Sequence, residues 1–349
     1  MTIAIDGRSA FFYKGSGIGN YTYELIKNIK KINSIHVYSK INSKESKSFW
    51  DIANNPIKLN KNYKIFLNPH NGIGLPEKNV EKIITTLHDI IPSKLPETVS
   101  NSYLKIYNNK INSILQKSHT IITVSNFSKN DIATTFNIDR NKIHVTYLAP
   151  SKIYHPINKN FCKNILYKTY GIDFKYILYI GSFSPRKNIL GLIEAFSLIH
   201  EKNPSIKLLI VGSKGKSYEL YLNKSLKLNL KNKVIFTDFI QTNHLPYFYN
   251  CAECFIYPSF YEGFGLPPLE AMACGTPVIT SNLTSIPEIL KDTPIYINPY
   301  DIANISENLD KIINDESIRK FLIEKSLNHS KNFSWEKTSY ETLNIIKKT

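Results

Sequence analysis

Twelve short runs of apolar and β-branched residues recur along the chain, and helical patterns separate most of them. In the first half they are TIAID (2–6), IHVYS (35–39), YKIFL (63–67), KIITTL (82–87), TIITV (120–124) and KIHVTYL (142–148). In the second half they are YILYIG (176–181), IKLLIVG (206–212), KVIFT (233–237), CFIYP (254–258), TPVIT (276–280) and IYINP (295–299). Strands that alternate with helices pair in parallel and are covered on both faces, so the expected class is α/β, doubly wound. Twelve strands exceed what one open sheet ordinarily holds, which predicts two sheets in two domains. The junction falls in SKIYHPINKNF (151–161), a polar segment interrupted by a proline, giving domains 1–158 and 159–331. Ligands of such sheets sit beyond the carboxyl ends of the strands, so two facing domains would enclose a cleft lined by residues just after strands.

The 349 residues suffice for two cores, and 42% hydrophobic content excludes wholesale disorder. No basic, apolar and small-residue leader is present, and no run of 18 apolar residues occurs, so the expectation is a soluble, intracellular chain. Four cysteines are too few for a disulfide framework at this length. Cys251 and Cys254 form one C-x-x-C with no second ligand pair, which suits two buried residues better than zinc. The formal net charge is +16; residues 1–150 hold 20 Lys and Arg against 10 Asp and Glu, and the remainder 24 against 18. Such a surface attracts phosphates or an anionic membrane face. Without a zinc finger, an aromatic RNA-binding strand or a dense basic block, no nucleic-acid partner is expected.

Residues 13–25, YKGSGIGNYTYEL, resemble a phosphate-binding loop, but not a dinucleotide fingerprint. Gly15 follows the first strand only after nine residues, the spacing is G-x-G-x-G, and the second strand ends without an acid. A flexible loop leading into a helix near Ile18 remains, and such helix starts hold anions through free N–H groups.

The second half is more explicit. GSFSPRKN (181–188) follows a strand and precedes a helix, which puts Arg186 and Lys187 where a planar fork and a mobile ammonium suit a diphosphate. In PSFYEGFGLPPLEAMACGTPVIT (258–280), Glu262 follows a strand and Glu270 lies in the next helix, whose first turn takes Pro267 and Pro268. Carboxylates accept hydrogen bonds from sugar hydroxyls.

With these motifs in view, the chain resembles retaining GT-B glycosyltransferases of family four, most closely bacterial mannosyltransferase-like members that build polysaccharides. The resemblance rests on G-S-F-S-P-R-K-N, on Glu262-x7-Glu270 within EGFGLPPLEAMACGTPVI, on SNLTSIPE (281–288), on the glycine loop, and on LHDIIP (87–92). It implies two Rossmann-like domains facing across a cleft, with a C-terminal helix at 332–349, opened by Phe333 and Trp335, crossing back to the first domain. It implies a hexosyltransferase that moves a hexose, mannose favoured, from a GDP- or UDP-linked donor to a glycan or lipid-linked acceptor. Arg186 and Lys187 would hold the diphosphate, Glu262 the donor sugar and Glu270 the ribose. Backbone N–H groups around Gly263, Phe264, Gly265 and Leu266 would grip phosphate or sugar, Gly15 and Gly17 would close on the diphosphate, and His88 would lie near the anomeric carbon. No metal or other cofactor is expected, and the chemistry would be charge stabilisation of the departing diphosphate.

Asp238 stands where the family often has glycine in the loop lining the base pocket, so the base stays open between guanine and uracil. Ser125 and Ser128 read as helix-start residues. Tyr103, Tyr107, Ile111, Ile114 and Leu115 form one helical stripe, which fits either a core-facing helix or peripheral contact with an anionic membrane near a lipid-linked acceptor. The competing readings are a nucleotide-sugar epimerase on the same fold and a non-enzymatic sugar- or polyanion-binding protein.

Overall fold

A computed structural model describes residues 2–12, 16–39, 55–215 and 217–349. Each expected run carries a strand. The first six are β1 (Ile3–Asp6), β2 (His36–Tyr38), β3 (Tyr63–Asn68), β4 (Val80–Thr86), β5 (Thr120–Thr123) and β6 (Ile143–Val145). The second six are β7 (Lys175–Ile180), β8 (Ile206–Val211), β9 (Val234–Phe236), β10 (Cys254–Tyr257), β11 (Val278–Ser281) and β12 (Ile295–Ile297). They form two six-stranded sheets in the orders β2-β1-β3-β4-β5-β6 and β12-β11-β10-β7-β8-β9. Pairing is parallel throughout, for example Ile5 with Leu67 and Leu178 with Phe255. All four residues of β1 and of β10 are buried, as strands covered on both faces require.

The order reverses direction between β1 and β3 in one sheet and between β7 and β10 in the other. At such switch points the flanking connections leave on opposite faces and open a crevice at the carboxyl ends. Each unit thus has one place where a site is expected before any side chain is considered.

Two compact units result, residues 1–149 with 333–349, and residues 150–332. The boundary lies at Ala149–Pro150 rather than at 158, and the Asn250 side chain is one of the ties between the connecting segment and the second unit. Ile157 N–H donates to Asn250 Oδ1 at 2.8 Å, and Asn250 Nδ2 donates to the His155 carbonyl at 3.1 Å. Within the first unit, the helix Trp335–Lys348 is capped by Ser334 and buries Trp335, Leu343 and Ile346. Thr338 Oγ1 donates to the Tyr147 carbonyl at 2.6 Å, and Trp335 meets Tyr21 edge-on at 5.8 Å between centroids.

The stripe on the helix Asn101–Lys117 takes the core-facing alternative at four of its five positions. Tyr107, Ile111 and Leu115 pack against Leu87, Ile90, Ile121 and Ile143, and Ile114 packs with Phe66 and Ile83. Burying each such side chain stabilises the fold by about 1.5–3 kcal/mol, so these four positions are core, while Tyr103 is half-buried. Among the described residues no helix is long and apolar enough to cross one. All four cysteines are buried thiols. Ser125 Oγ caps its helix, accepting from Ser128 N–H at 3.0 Å.

Candidate active site

The second switch point gathers Arg186, Lys187 and Glu262. The loop after β7 tightens into a 3-10 turn, Pro185–Lys187, and Asn188 closes it with φ 56°. Asn188 Oδ1 accepts from Gly191 N–H at 3.2 Å and its Nδ2 donates to the Pro299 carbonyl at 2.6 Å, so the turn is fixed at its C-terminal end. Phe260 N–H donates to the Arg186 carbonyl at 2.8 Å, joining this loop to the one after β10.

Glu262 Oε1 then accepts from Arg186 Nη1 at 2.9 Å and from Lys187 Nζ at 2.5 Å. The same arginine nitrogen donates to the Tyr261 carbonyl at 2.9 Å. Lys187 Nζ also hydrogen-bonds the Tyr257 hydroxyl and sits 4.5 Å from the centre of that ring, which stacks on Tyr179. Burial alone would push the Glu262 carboxyl up, but Arg186 and Lys187 outweigh it and hold the pKa down to about 2. The carboxylate is therefore ionised at any physiological pH, between two cations.

Glu270 has the opposite environment. It lies in the helix Leu266–Ala273, and its partners are hydroxyls: Tyr249 Oη donates to its carboxylate at 3.2 Å. Burial raises its pKa to about 7, and the hydrogen bonds from Tyr249 and Tyr154 only partly offset this. Two carboxyls eight positions apart are thus pushed in opposite directions.

Gly265 caps that helix with φ 91°, and a Cβ there would lie 2.3 Å from Ile286 Cδ1, so the position requires glycine twice over. Phe264 is buried beside it, and Gly263 precedes it in the same loop. Leu266 opens the helix and keeps its N–H, whereas Pro267 and Pro268 have none.

In the first unit, Gly17 is the first residue of the helix Gly17–Ile32, after Ser16, whose Oγ accepts from Gly19 N–H at 3.0 Å. A side chain at Gly17 would meet nothing within 4 Å, so packing does not demand glycine there. Gly15 lies outside the described residues. His88 follows β4; its N–H donates to Asn71 Oδ1 at 3.0 Å, and its Nε2 lies 2.9 Å from the Pro69 carbonyl. A carbonyl only accepts, so Nε2 carries the proton and Nδ1 is the acceptor. Burial lowers the His88 pKa, which keeps the ring neutral, and Tyr21 meets it edge-on at 4.6 Å. Asp89 Oδ1 caps the next turn, accepting from Ile91 N–H at 3.1 Å.

A second cluster at the β1/β3 switch point escaped the sequence reading. Arg8 forks onto Asp6, with Nε to Oδ1 at 3.0 Å and Nη2 to Oδ2 at 2.8 Å. His70 Nε2 lies 3.3 Å from Asp6 Oδ2, and Asn68 Nδ2 donates to the same oxygen at 3.4 Å. All four side chains are buried. The available signals were an acid and an arginine in IDGR and a histidine in NPHN, each just past a strand. Among the described residues no group of three or more His, Cys, Asp or Glu is placed to hold a metal ion.

The sequence model of "Glycosyl transferases group 1" matches residues 169–329, and that of "Glycosyltransferase Family 4" matches residues 68–149. Over 289 residues the chain is 34% identical to O-antigen chain mannosyltransferase B of Escherichia coli, covering 82% of this chain and 75% of that one. It is 29% identical to the serotype-specific mannosyltransferase WbdA of the same organism over 77% of its length, but spans only 34% of that longer protein. The fold is that of HepE from Anabaena, solved in complex with UDP-glucose, at a TM-score of 0.76 and 15% identity over all of both chains.

Proposed function

Because the chain belongs to the glycosyl transferases group 1 family and has the GT-B fold, we propose that it is a retaining hexosyltransferase. It moves mannose by preference from a nucleotide-sugar to a glycan or lipid-linked acceptor of a cell-surface polysaccharide. The carrying observation is the pair Arg186 and Lys187 converging on Glu262 at the carboxyl ends of β7 and β10. Support for the sugar comes from the O-antigen mannosyltransferase relative, and for the donor class from the UDP-glucose held by HepE.

The donor diphosphate competes with Glu262 for the two cations. As the sugar–phosphate bond breaks, negative charge grows on the diphosphate, and fixed cations stabilise that charge more than the ground state. The sugar carbon becomes oxocarbenium-like. Glu262, ionised through the whole working range, accepts hydrogen bonds from the sugar hydroxyls and faces this positive charge. Glu270 accepts from the ribose. His88, neutral, offers Nδ1 to a sugar hydroxyl. The leaving diphosphate takes the acceptor proton, so no strong protein base and no metal is called for.

The test is nucleotide release from a panel including GDP-mannose and UDP-glucose, with and without acceptor glycan, and the product anomer read by NMR. Transfer with retained configuration is expected. Inversion would overturn the stereochemistry, conversion of the donor to an epimer would favour an epimerase, and binding without turnover would favour a binding protein.

A further inference from the structure

Thr284 is held at φ 59°, a left-handed conformation that β-branched residues rarely adopt. It lies in the loop between β11 and the helix Ile286–Leu290, and the neighbouring bonds over-determine it. Asn282 N–H donates to the Ile297 carbonyl at 3.0 Å, Leu283 N–H to Ser281 Oγ at 3.1 Å, and Ile286 N–H to the Leu283 carbonyl at 3.3 Å. What this conformation positions is visible across the gap. Glu262 N–H donates to Thr284 Oγ1 at 3.1 Å, and Ser285 Oγ donates to the Glu262 carbonyl at 2.9 Å. Both backbone polar groups of Glu262 are therefore held by two consecutive residues of one loop. Strain of this kind persists where the surroundings enforce it and concentrates at functional sites.

Taking Glu262 as the donor-sugar carboxylate, as above, we infer that Thr284 is a positioning residue: its strained backbone places a hydroxyl that fixes the Glu262 peptide, and so sets where the carboxylate meets the sugar. Glycine would relax the backbone but bring no hydroxyl. Serine brings the hydroxyl with less steric conflict. Alanine removes the hydroxyl and keeps most of the conflict.

The three substitutions separate placement from stability. In the full chain, Thr284→Gly melts higher than Thr284→Ala, because both lose the hydroxyl and only glycine releases the backbone strain. Acceptor-free nucleotide release is read with GDP-mannose and UDP-glucose. Here Thr284→Gly and Thr284→Ala both lose about tenfold in kcat, with donor KM within about twofold, while Thr284→Ser recovers most of the rate. A glycine variant that melts above the alanine variant yet is just as slow, beside a serine variant that recovers the rate, is an outcome that a merely structural role does not produce. Melting of Thr284→Gly at or below Thr284→Ala, or parental kcat in both hydroxyl-free variants, overturns the assignment. Glu262→Gln is the control: a slow Glu262→Gln beside full-rate Thr284 variants removes only the role of Thr284, whereas full rate in Glu262→Gln removes the donor-site reading itself.

Discussion

Arg186 Nη1 and Glu262 Oε1 lie 2.9 Å apart, on loops that follow strands far apart in sequence and adjacent in the sheet. Lys187 reaches the same carboxylate oxygen. One buried carboxylate thus faces two cations, leaving one positive charge in excess, and removing Glu262 strips both cations of their shared partner.

Arg186→Ala and Lys187→Ala are expected to lower kcat by roughly a hundredfold each, about 3 kcal/mol, with smaller effects on donor KM. The reason is that diphosphate charge increases along the reaction, so lost cations are missed most at the transition state. Steady-state kinetics with one nucleotide-sugar decides it; full kcat in both variants would leave the pair as an internal salt bridge alone.

Stability is expected to fall as pH rises from about 4.5 through about 7, then level off. Glu270 carries a raised pKa, so its contribution is fully present below the ordinary value of 4.5 and is lost as pH climbs through about 7. At about 1.4 kcal/mol for each pH unit, the slope accumulates to about 3 kcal/mol. Glu262, with its lowered pKa, works at the other end: its contribution is lost as pH falls from 4.5 towards about 2. Urea titrations across this range, repeated on Glu270→Gln, should show the neutral-pH slope disappear; persistence of the slope would point to another group.

Donor uptake should be linked to Glu270 ionisation. A carboxylate accepts the ribose hydroxyls better than a carboxylic acid does, so affinity should rise with pH up to about 7. Binding should release protons below that pH. Calorimetry in buffers of different ionisation enthalpy measures the release directly. Glu270→Ala should raise KM more than it lowers kcat, since ribose changes little during the reaction. Buffer-independent heats would remove the ribose assignment.

Deleting residues 333–349 should unfold the first unit. The deletion takes Trp335, Leu343 and Ile346 out of a buried environment. At about 1.5–3 kcal/mol each, this loss is comparable with the whole stability of an ordinary domain, about 5–15 kcal/mol. Scanning calorimetry should lose the transition belonging to residues 1–149 and keep that of residues 150–332; an unchanged trace would refute the packing role of the helix.

The strands were readable because parallel strands buried on both faces are continuous apolar runs, as IKLLIVG (206–212) is. Arg186, Lys187, Glu262 and Glu270 were readable because glycines, prolines and charges just after strands leave a pattern in the chain itself. The pairing of Asp6 with His70 was not, since it depends on β1 lying next to β3, which spacing does not reveal. Nor was Thr284, because threonine is among the last residues one would assign to a left-handed backbone. The contrast between Glu262 and Glu270 also stayed hidden: the partners that set it, Tyr154 and Tyr249, come from elsewhere in the chain. The unit boundary lies nine residues before 158 because the connecting segment is joined to the second unit by contacts that spacing does not reveal, among them those of Asn250 and the ring pair of Tyr154 and Tyr249.

The first unit takes its last helix from residues 333–349, on the far side of the whole second unit. On a ribosome, which emits the chain from the N-terminus, residues 150–332 are all available before Trp335 exists. The half begun first is therefore finished last. Until then it must wait with a core lacking Trp335, Leu343 and Ile346, exposing apolar surface that a holding chaperone would recognise.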